Sequence, residues 1–162
     1  MQPIVPNLWF DTQAEEAAAF YTSVFPDSRI VGVTRYPEGS PGPTGSVMTV
    51  EWEIGGQRYV GINGGPQFPF TEAVSFQVTC DSQEELDRYW DALLAGGGQE
   101  VQCGWLRDRY GLSWQVVPAG TEEVLSDADP ERAARAMRAM MGMVKIDIAA
   151  VRAAADGVPA TT

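Results

Sequence analysis

The residues that could carry chemistry are limited by one absence, since the 162 residues include no histidine. Histidine is the commonest general base and metal ligand. Because the chain has none, a Ser-His-Asp triad is excluded. The two cysteines, Cys80 and Cys103, fit no zinc pattern, and two thiols alone cannot form a structural zinc site. A catalytic thiolate needs an activating neighbour. We therefore expect packed thiols, with Cys80 in the core and Cys103 near the mouth of a cleft.

Two carboxylates, Glu51 and Glu53, alternate with apolar residues along one predicted strand and so point away from its core side. A carboxylate whose pKa is raised by an apolar cleft could act as a general base, whereas a solvated strand face requires no such role. Arg107 and Arg109 flank Asp108 and could steer an anionic ligand or form ordinary surface ion pairs. The sequence leaves these alternatives open.

The remaining candidates are polar but uncharged, or aromatic, and lie on or beside the strand faces that point away from the helices. Such a surface suits a small, partly planar organic ligand. Amides that bond only to one another would instead leave a vestigial cleft. The predicted ligand-binding residues are Asn7, Trp9, Asn63, Phe68, Ser75, Gln77, Trp105 and Gln115.

The elements that must position these side chains begin with an apolar strand at residues 4–10. Thr12-Gln13-Ala14-Glu15 then has the pattern of a capping box at the start of a helix that Pro26 ends. The two-residue turn Gly55-Gly56 predicts a hairpin. Three strands are predicted after the helix, at residues 29–36, 47–54 and 57–63.

The same order of elements returns in the second half of the chain. Strand residues 73–80 lead into Asp81, which matches Asp11, and into the second capping box Ser82-Gln83-Glu84-Glu85. The next helix is predicted to bury Leu86, Tyr89, Trp90, Leu93 and Leu94 and to end at Gly96-Gly97-Gly98. Three strands follow at residues 100–104, 105–108 and 113–117. The matched caps and order indicate a duplicated βαβββ module rather than coincidence.

The predicted boundaries lie within one globular unit. They are residues 1–63 for the first module, 64–72 for a linker loop, 73–120 for the second module and 127–157 for a C-terminal helical extension. Two aromatics among turn formers in the linker predict a loop held onto an apolar surface. In the extension, Asp129-Pro130 begins a helix. Its predicted stripe, which would pack on the domain or on a second subunit, is Ala133, Met137, Met140, Met141 and Val144.

The formal net charge of −11 restricts the partners of the protein. It argues against nucleic acid, which needs clustered Lys and Arg, and against anionic membranes. No stretch approaches the roughly 20 apolar residues of a membrane helix. Residues 1–6 lack the basic and apolar regions of a signal peptide, so the expected location is the cytoplasm.

Several segments within residues 4–157 are typical of one family, and the run Trp-Leu-x-Asp-x-x-Gly-x-Ser-Trp-Gln is the most specific. They are Pro6-Asn7-Leu8-Trp9-Phe10, Glu15-Glu16-Ala17, Phe20-Tyr21, Asn63-Gly64-Gly65-Pro66, Ser75-Phe76-Gln77-Val78, the runs 103–106 and 108–118, and Lys145-Ile146-Asp147-Ile148. The chain resembles the PhnB-like family of the vicinal oxygen chelate (glyoxalase/bleomycin-resistance/dioxygenase) superfamily. Many members carry the label 3-demethylubiquinone-9 3-methyltransferase.

The resemblance implies an α+β fold, with two βαβββ modules whose curled mixed sheets surround a cleft, plus C-terminal helices, usually in a homodimer. In metal-dependent relatives, His and Glu side chains on cleft-facing strands hold a divalent ion. Their His positions fall on Val5 and Ala73, and their Glu position falls on Gln115, whose amide oxygen is a poor transition-metal ligand. The fourth position falls near Gly61 or Asn63. We therefore expect no classical metal site and no cofactor.

The predicted function is binding of a small organic molecule without the classical metal. One alternative is an enzyme acting on a small oxygenated substrate, lyase- or dioxygenase-like, either metal-free or with an ion held by Glu51, Glu53 or Asn63. Another is a dimeric scaffold with a dead site. The sequence does not support methyl transfer, because neither glycine cluster opens a helix after a strand, as nucleotide-binding loops do.

Overall fold

The structure is a computed structural model that describes residues 4–158. It contains two compact units, Met1–Phe70 and Thr71–Thr162, each with one four-stranded mixed sheet, and the predicted α+β class is confirmed. Within the described range, no helix is both long enough and apolar enough to cross a membrane. The cytoplasmic location was predicted from residues 1–6, and residues 1–3 of this segment lie outside the described range.

The first unit is one βαβββ module. Its elements are β1 (Asn7–Phe10), α1 (Ala14–Val24), β2 (Ser28–Arg35), β3 (Val47–Ile54) and β4 (Gln57–Asn63). The sheet order is β1-β4-β3-β2, with β1 parallel to β4 and the other pairs antiparallel. Strands β3 and β4 have the predicted bounds, and their hairpin is confirmed. Gly55 and Gly56 have φ angles of 53° and 82°, the left-handed region that a type I′ turn requires.

The second unit repeats this module. Its first elements are β5 (Ser75–Cys80), α2 (Gln83–Leu94), β6 (Gln99–Glu100), β7 (Trp105–Arg107) and β8 (Ser113–Pro118). The order β5-β8-β7-β6, with β5 parallel to β8, reproduces the order of the first sheet. Each core lies between the helix and the sheet, because the strands bury alternate residues and the helices bury one face. Of the five α2 residues predicted to be buried, all but Leu94 are buried.

Strand β6 is shorter than the predicted strand over residues 100–104. Cys103 and Gly104 have φ angles of 61° and 78°, which no extended strand adopts. The backbone turns tightly here, since Val101 N donates to Trp105 O at 2.9 Å. The prediction was wrong because apolar and small residues in this segment looked like a continuing strand.

The capping box of α2 is confirmed, and that of α1 is wrong. Ser82 Oγ accepts from Glu85 N at 3.1 Å, while the Glu85 carboxylate accepts from Asp81 N at 2.8 Å, one residue before the cap. Helix α1 instead begins after Gln13, which makes no side-chain capping bond. Its first amide is satisfied from a distant strand, as described below.

Three helices follow β8: α3 (Thr121–Leu125), α4 (Pro130–Met141) and α5 (Ile148–Ala155). Asp129 Oδ1 accepts from Glu131 N and caps α4, as predicted. The sequence analysis missed α3. Of the predicted stripe on α4, Met140 is buried against the domain, whereas Met137 and Met141 are exposed in the single chain, and packing of these two on a second subunit stays a prediction.

The segment between α4 and α5 docks on the second module through backbone bonds. Cys103 N donates to Met143 O and Gly104 N donates to Val144 O, each at 2.8 Å. Gln83 extends the contact, because its Nε2 donates to Ile146 O at 3.1 Å and its Oε1 accepts from Ile148 N at 2.9 Å. The side chain of Ile146 is 1% exposed. This docking places α3 and α4 beside the second sheet.

Candidate functional site

The face of the second sheet that points away from α2 carries its side chains in rows across the strands. Register pairs Gln77 with Gln115 and Gln115 with Trp105, so these three side chains share one row. Ser75 lies in the neighbouring row, and its Oγ accepts from Gln115 Nε2 at 2.9 Å. The structure therefore brings together four of the predicted ligand-binding residues on one surface.

This surface forms part of an open pocket of about 540 Å³, a volume in the range of roughly 300–1,000 Å³ common for small-molecule sites. The row contributes Gln77, Gln115 and Trp105, with Thr79 and Val117 from the next row. The helices after β8 supply further residues, including Glu122, Glu123, Leu125 and Met140. The pocket combines an aromatic ring, uncharged amides, apolar side chains and two carboxylates.

The residues from α3 and α4 were missed by sequence reasoning. Thr121-Glu122-Glu123 reads as a solvated segment, and no local pattern shows that it returns to the sheet. The usable local signal was that Pro118 ends β8 and Gly120 forms a turn just before this segment. Only the folded second unit brings these helices beside the strands that line the pocket.

Cys103 lines the pocket, but its environment does not activate it. Burial raises the pKa of the Cys103 thiol, so the neutral form is favoured at neutral pH. Its Sγ lies 3.6 Å from Met141 Sδ. Cys80 is fully buried in the core, as predicted, and burial followed by the Glu85 carboxylate raises its pKa to about 11. Neither cysteine has the environment of a nucleophile.

Three other predicted residues, Asn7, Trp9 and Phe68, belong to the first unit. Trp9 Nε1 donates to Gly65 O at 2.8 Å, and Phe68 meets the Trp9 ring edge-on at a centroid distance of 5.1 Å. Asn7 is exposed and its Nδ2 donates to Val5 O. The linker is thus held onto an apolar surface, as its two aromatics predicted. Phe68 remains 64% exposed.

Asn63 is placed differently from the prediction. It pairs with Phe10 in the sheet and so lies on the helix-facing side. Its Oδ1 accepts from Ala14 N at 2.9 Å, and its Nδ2 donates to Val47 O at 3.1 Å. Asn63 therefore caps α1 from a neighbouring strand, the role that the sequence analysis assigned to Thr12. Both sides of its amide are engaged.

The Glu51 and Glu53 carboxylates are paired with arginines. Glu51 lies 2.6 Å from Arg58 Nη2, and Glu53 lies 2.9 Å from Arg29 Nη2 and 3.8 Å from Arg58 Nε. The Glu51 and Glu53 side chains are 44% and 23% exposed, so both carboxylates reach solvent. These residues form an ion-pair network on the open face of the first sheet.

Gly64 allows the linker to lie against Trp9, and Gly64→Ala tests that contact. A Cβ at this position would overlap Cζ2 and Cη2 of the indole and lie 2.6 Å from Cε2. We expect the free energy of unfolding to fall by about 1–3 kcal/mol, the usual cost of overpacking. Urea denaturation measures this loss. Gly32→Ala in β2 is the matched control, because its Cβ would meet nothing within 4 Å. Equal effects of the two variants would contradict the proposed contact.

The fold indicates the class of protein to which the chain belongs. Paired βαβββ modules of this order are the architecture expected for the vicinal oxygen chelate, or glyoxalase/bleomycin-resistance, superfamily. The family model described as 3-demethylubiquinone-9 3-methyltransferase matches residues 2–117. The chain belongs to this PhnB-like family. None of the curated proteins compared with the chain matches it.

Solved structures agree with this assignment. A Bacillus cereus PhnB protein, described as a 3-demethylubiquinone-9 3-methyltransferase, is 38% identical with a TM-score of 0.66, over 73% of this chain and 100% of that one. A Pseudomonas aeruginosa protein is 23% identical with a TM-score of 0.59, over 73% and 98% of the two chains. A mutant of the Listeria monocytogenes fosfomycin resistance protein FosX, complexed with Mn(II) and 1S,2S-dihydroxypropylphosphonic acid, is 16% identical with a TM-score of 0.50, over 70% and 88%. The last two show the shared fold alone.

The side chains present do not fit a divalent metal of the kind that FosX holds. Among residues 4–158, no group of three or more His, Cys, Asp or Glu side chains could hold a metal ion. The positions where the resemblance places metal ligands carry Val5, Ala73, Gln115 and, for the fourth, Gly61 or Asn63. The Gln115 amide is bonded to Ser75, and the Asn63 amide is bonded to Ala14 N and Val47 O.

Proposed function

We propose that this protein binds a small, partly planar organic molecule in the pocket of its second unit, without a metal ion. The observation that carries the proposal is the pocket of about 540 Å³ in which Trp105 lies in one row with the amides of Gln77 and Gln115. Aromatic walls supply most of the contact area in such sites, and a few polar groups fix the orientation of the ligand.

Binding is favoured over catalysis because no candidate reactive group has the environment that chemistry requires. The Cys103 thiol has a raised pKa, and the Glu51 and Glu53 carboxylates are paired with arginines. Methyl transfer, the activity in the family description, has no support from a glycine-rich loop that opens a helix after a strand. The homodimer and the cytoplasmic location remain predictions.

Two titrations test the proposal. The first adds Mn²⁺, Zn²⁺, Ni²⁺ and Mg²⁺ to the purified protein, with elemental analysis alongside, and we expect neither a stoichiometric metal nor a thermal shift. The second screens planar organic compounds, and we expect at least one to raise the Tm. A ligand at 100 times its Kd adds about 2.7 kcal/mol of stability.

Gln115→Leu locates the binding. Leucine keeps a side chain of similar size but removes the amide, so we expect affinity for any stabilising compound to fall at least tenfold while the fold persists. Gln57→Leu, on the exposed hairpin of the first unit, is the matched control. Stoichiometric metal, or compounds that stabilise wild type and Gln115→Leu equally, would overturn the proposal.

A further inference from the structure

We propose that the ligand of this pocket is an organic cation, a protonated amine or quaternary ammonium attached to a planar or apolar body. The inference rests on the proposed function and names the ligand class of the same site. It follows from the charges that line the pocket, from the aromatic ring among them and from the hydrogen-bonding groups left available.

The charged groups that line the pocket are all negative. Glu122 and Glu123 line it, and no Lys or Arg is among the described residues that do so. Both glutamates are exposed, and neither carboxylate has an ion-pair partner within residues 4–158. A bound anion would face two uncompensated carboxylates, whereas a bound cation would supply the counter-charge that the chain does not.

Arg107 shares the open sheet face with Trp105, and Arg152 lines an adjoining cavity but not this pocket. Two of the three Arg107 guanidinium nitrogens have partners, because Nη2 donates to Gln99 Oε1 at 2.7 Å and Nη1 lies 3.6 Å from a Glu72 carboxylate oxygen, whereas the buried Nε has none within residues 4–158. Arg107 is not among the residues lining the pocket. It therefore does not reverse the sign of the charge there.

The neutral groups of the pocket also suit a cation. An indole attracts a cation over its ring face, and Trp is the best of the aromatic residues in this role. Gln115 Nε2 donates to Ser75 Oγ, which leaves its Oε1 as an acceptor for an N–H donor of the ligand. Met140 and the neutral Cys103 thiol provide polarizable, uncharged surface. The net charge of −11 further attracts cations toward the protein.

Three probes with the same fused bicyclic aromatic body separate charge from planarity: N-methylquinolinium, neutral quinoline and anionic 2-naphthoate. Isothermal titration calorimetry at low ionic strength measures their affinities, and the Trp105 indole N–H signal in NMR reports the location. We expect N-methylquinolinium to bind at least tenfold more tightly than quinoline, and 2-naphthoate to bind most weakly. Of the three affinities, added NaCl should lower only that for N-methylquinolinium.

The charge contribution is isolated by the double variant Glu122→Gln/Glu123→Gln. We expect it to lose about tenfold in affinity for the cation and none for quinoline. The control Glu84→Gln/Asp91→Asn removes two exposed carboxylates from α2 and should change neither value. Equal binding of the cation and quinoline, or tighter binding of 2-naphthoate, would overturn the cation inference and leave the proposed function standing. Failure of all three probes to perturb Trp105 would overturn both.

Discussion

Replacing Asp108 with alanine is expected to lower the free energy of unfolding by about 3–5 kcal/mol, because three donors lose a charged acceptor. Asp108 is 4% exposed. Its Oδ1 accepts from the backbone N–H groups of Tyr110 at 2.9 Å and Leu112 at 3.1 Å. Its Oδ2 accepts from Trp114 Nε1 at 2.9 Å. One carboxylate therefore organises the β7–β8 turn and fixes an indole of the core.

The conservative variant Asp108→Asn separates charge from shape. An asparagine retains one acceptor oxygen, but its NH₂ group must face an N–H donor, so we expect an intermediate loss of about 2 kcal/mol. Urea denaturation gives both values. Asp11→Asn, at an exposed position, is the control and should stay within about 0.5 kcal/mol of wild type. A loss below about 1 kcal/mol for Asp108→Ala would contradict this account.

Gly104→Ala is expected to destabilise the protein by about 2–4 kcal/mol, from backbone strain and overpacking together. Gly104 has a φ of 78°, which an L-residue adopts only at a cost. An added Cβ would lie 2.7 Å from Ile146 Cδ1 and 3.0 Å from Val116 O. Ile146 is held in the docked α4–α5 segment, so the clash would displace that segment from the second module.

Gly111→Ala is the matched control for Gly104→Ala. Gly111 also has a left-handed φ of 88°, but a Cβ there would meet nothing within 4 Å. It should cost only the backbone strain, about 1–2 kcal/mol. Amide exchange provides a second readout, because displacement should expose the N–H groups of Cys103 and Gly104. Equal destabilisation by the two variants, with unchanged protection of these amides, would contradict the steric account.

The stability and the site of the second unit are coupled through this docking. The α4–α5 segment covers Gly104 and is fastened to α2 by Gln83, and α3 and α4 supply part of the pocket. A variant that frees the segment should therefore also weaken ligand binding, even when the sheet is intact. The free energy of unfolding of Gly104→Ala should therefore be measured together with its affinity for the ligand.

The repeated module was predictable from the sequence because the signals are local. Alternation along β3 fixes which residues face the helix, and Gly55-Gly56 supplies two left-handed residues at the hairpin. The Ser82 cap needed only four consecutive residues to be recognised. The absence of histidine is a matter of composition and excludes the same chemistry in any fold.

Part of the candidate site was predictable for the same reason. Register on β5, β7 and β8 brings Gln77, Gln115 and Trp105 into one row, as alternation along each strand implied. The bond from Gln115 to Ser75, which joins this row to the neighbouring one, was visible only in the structure. The ligand-binding role of Trp9 and Phe68 in the first unit stays a prediction.

Only the tertiary structure decided the roles that depend on residues far apart in the chain. Asn63 caps α1 from a strand 49 positions away, so no local capping pattern could reveal it. Glu53 forms an ion pair with Arg29 on the adjacent strand. Alternation along one strand does not show this partner. Glu122 and Glu123 line the pocket beside side chains from β5, β7 and β8, which no local sequence pattern shows. Periodicity records which way a side chain points on its own element, whereas its partners are set by packing between elements.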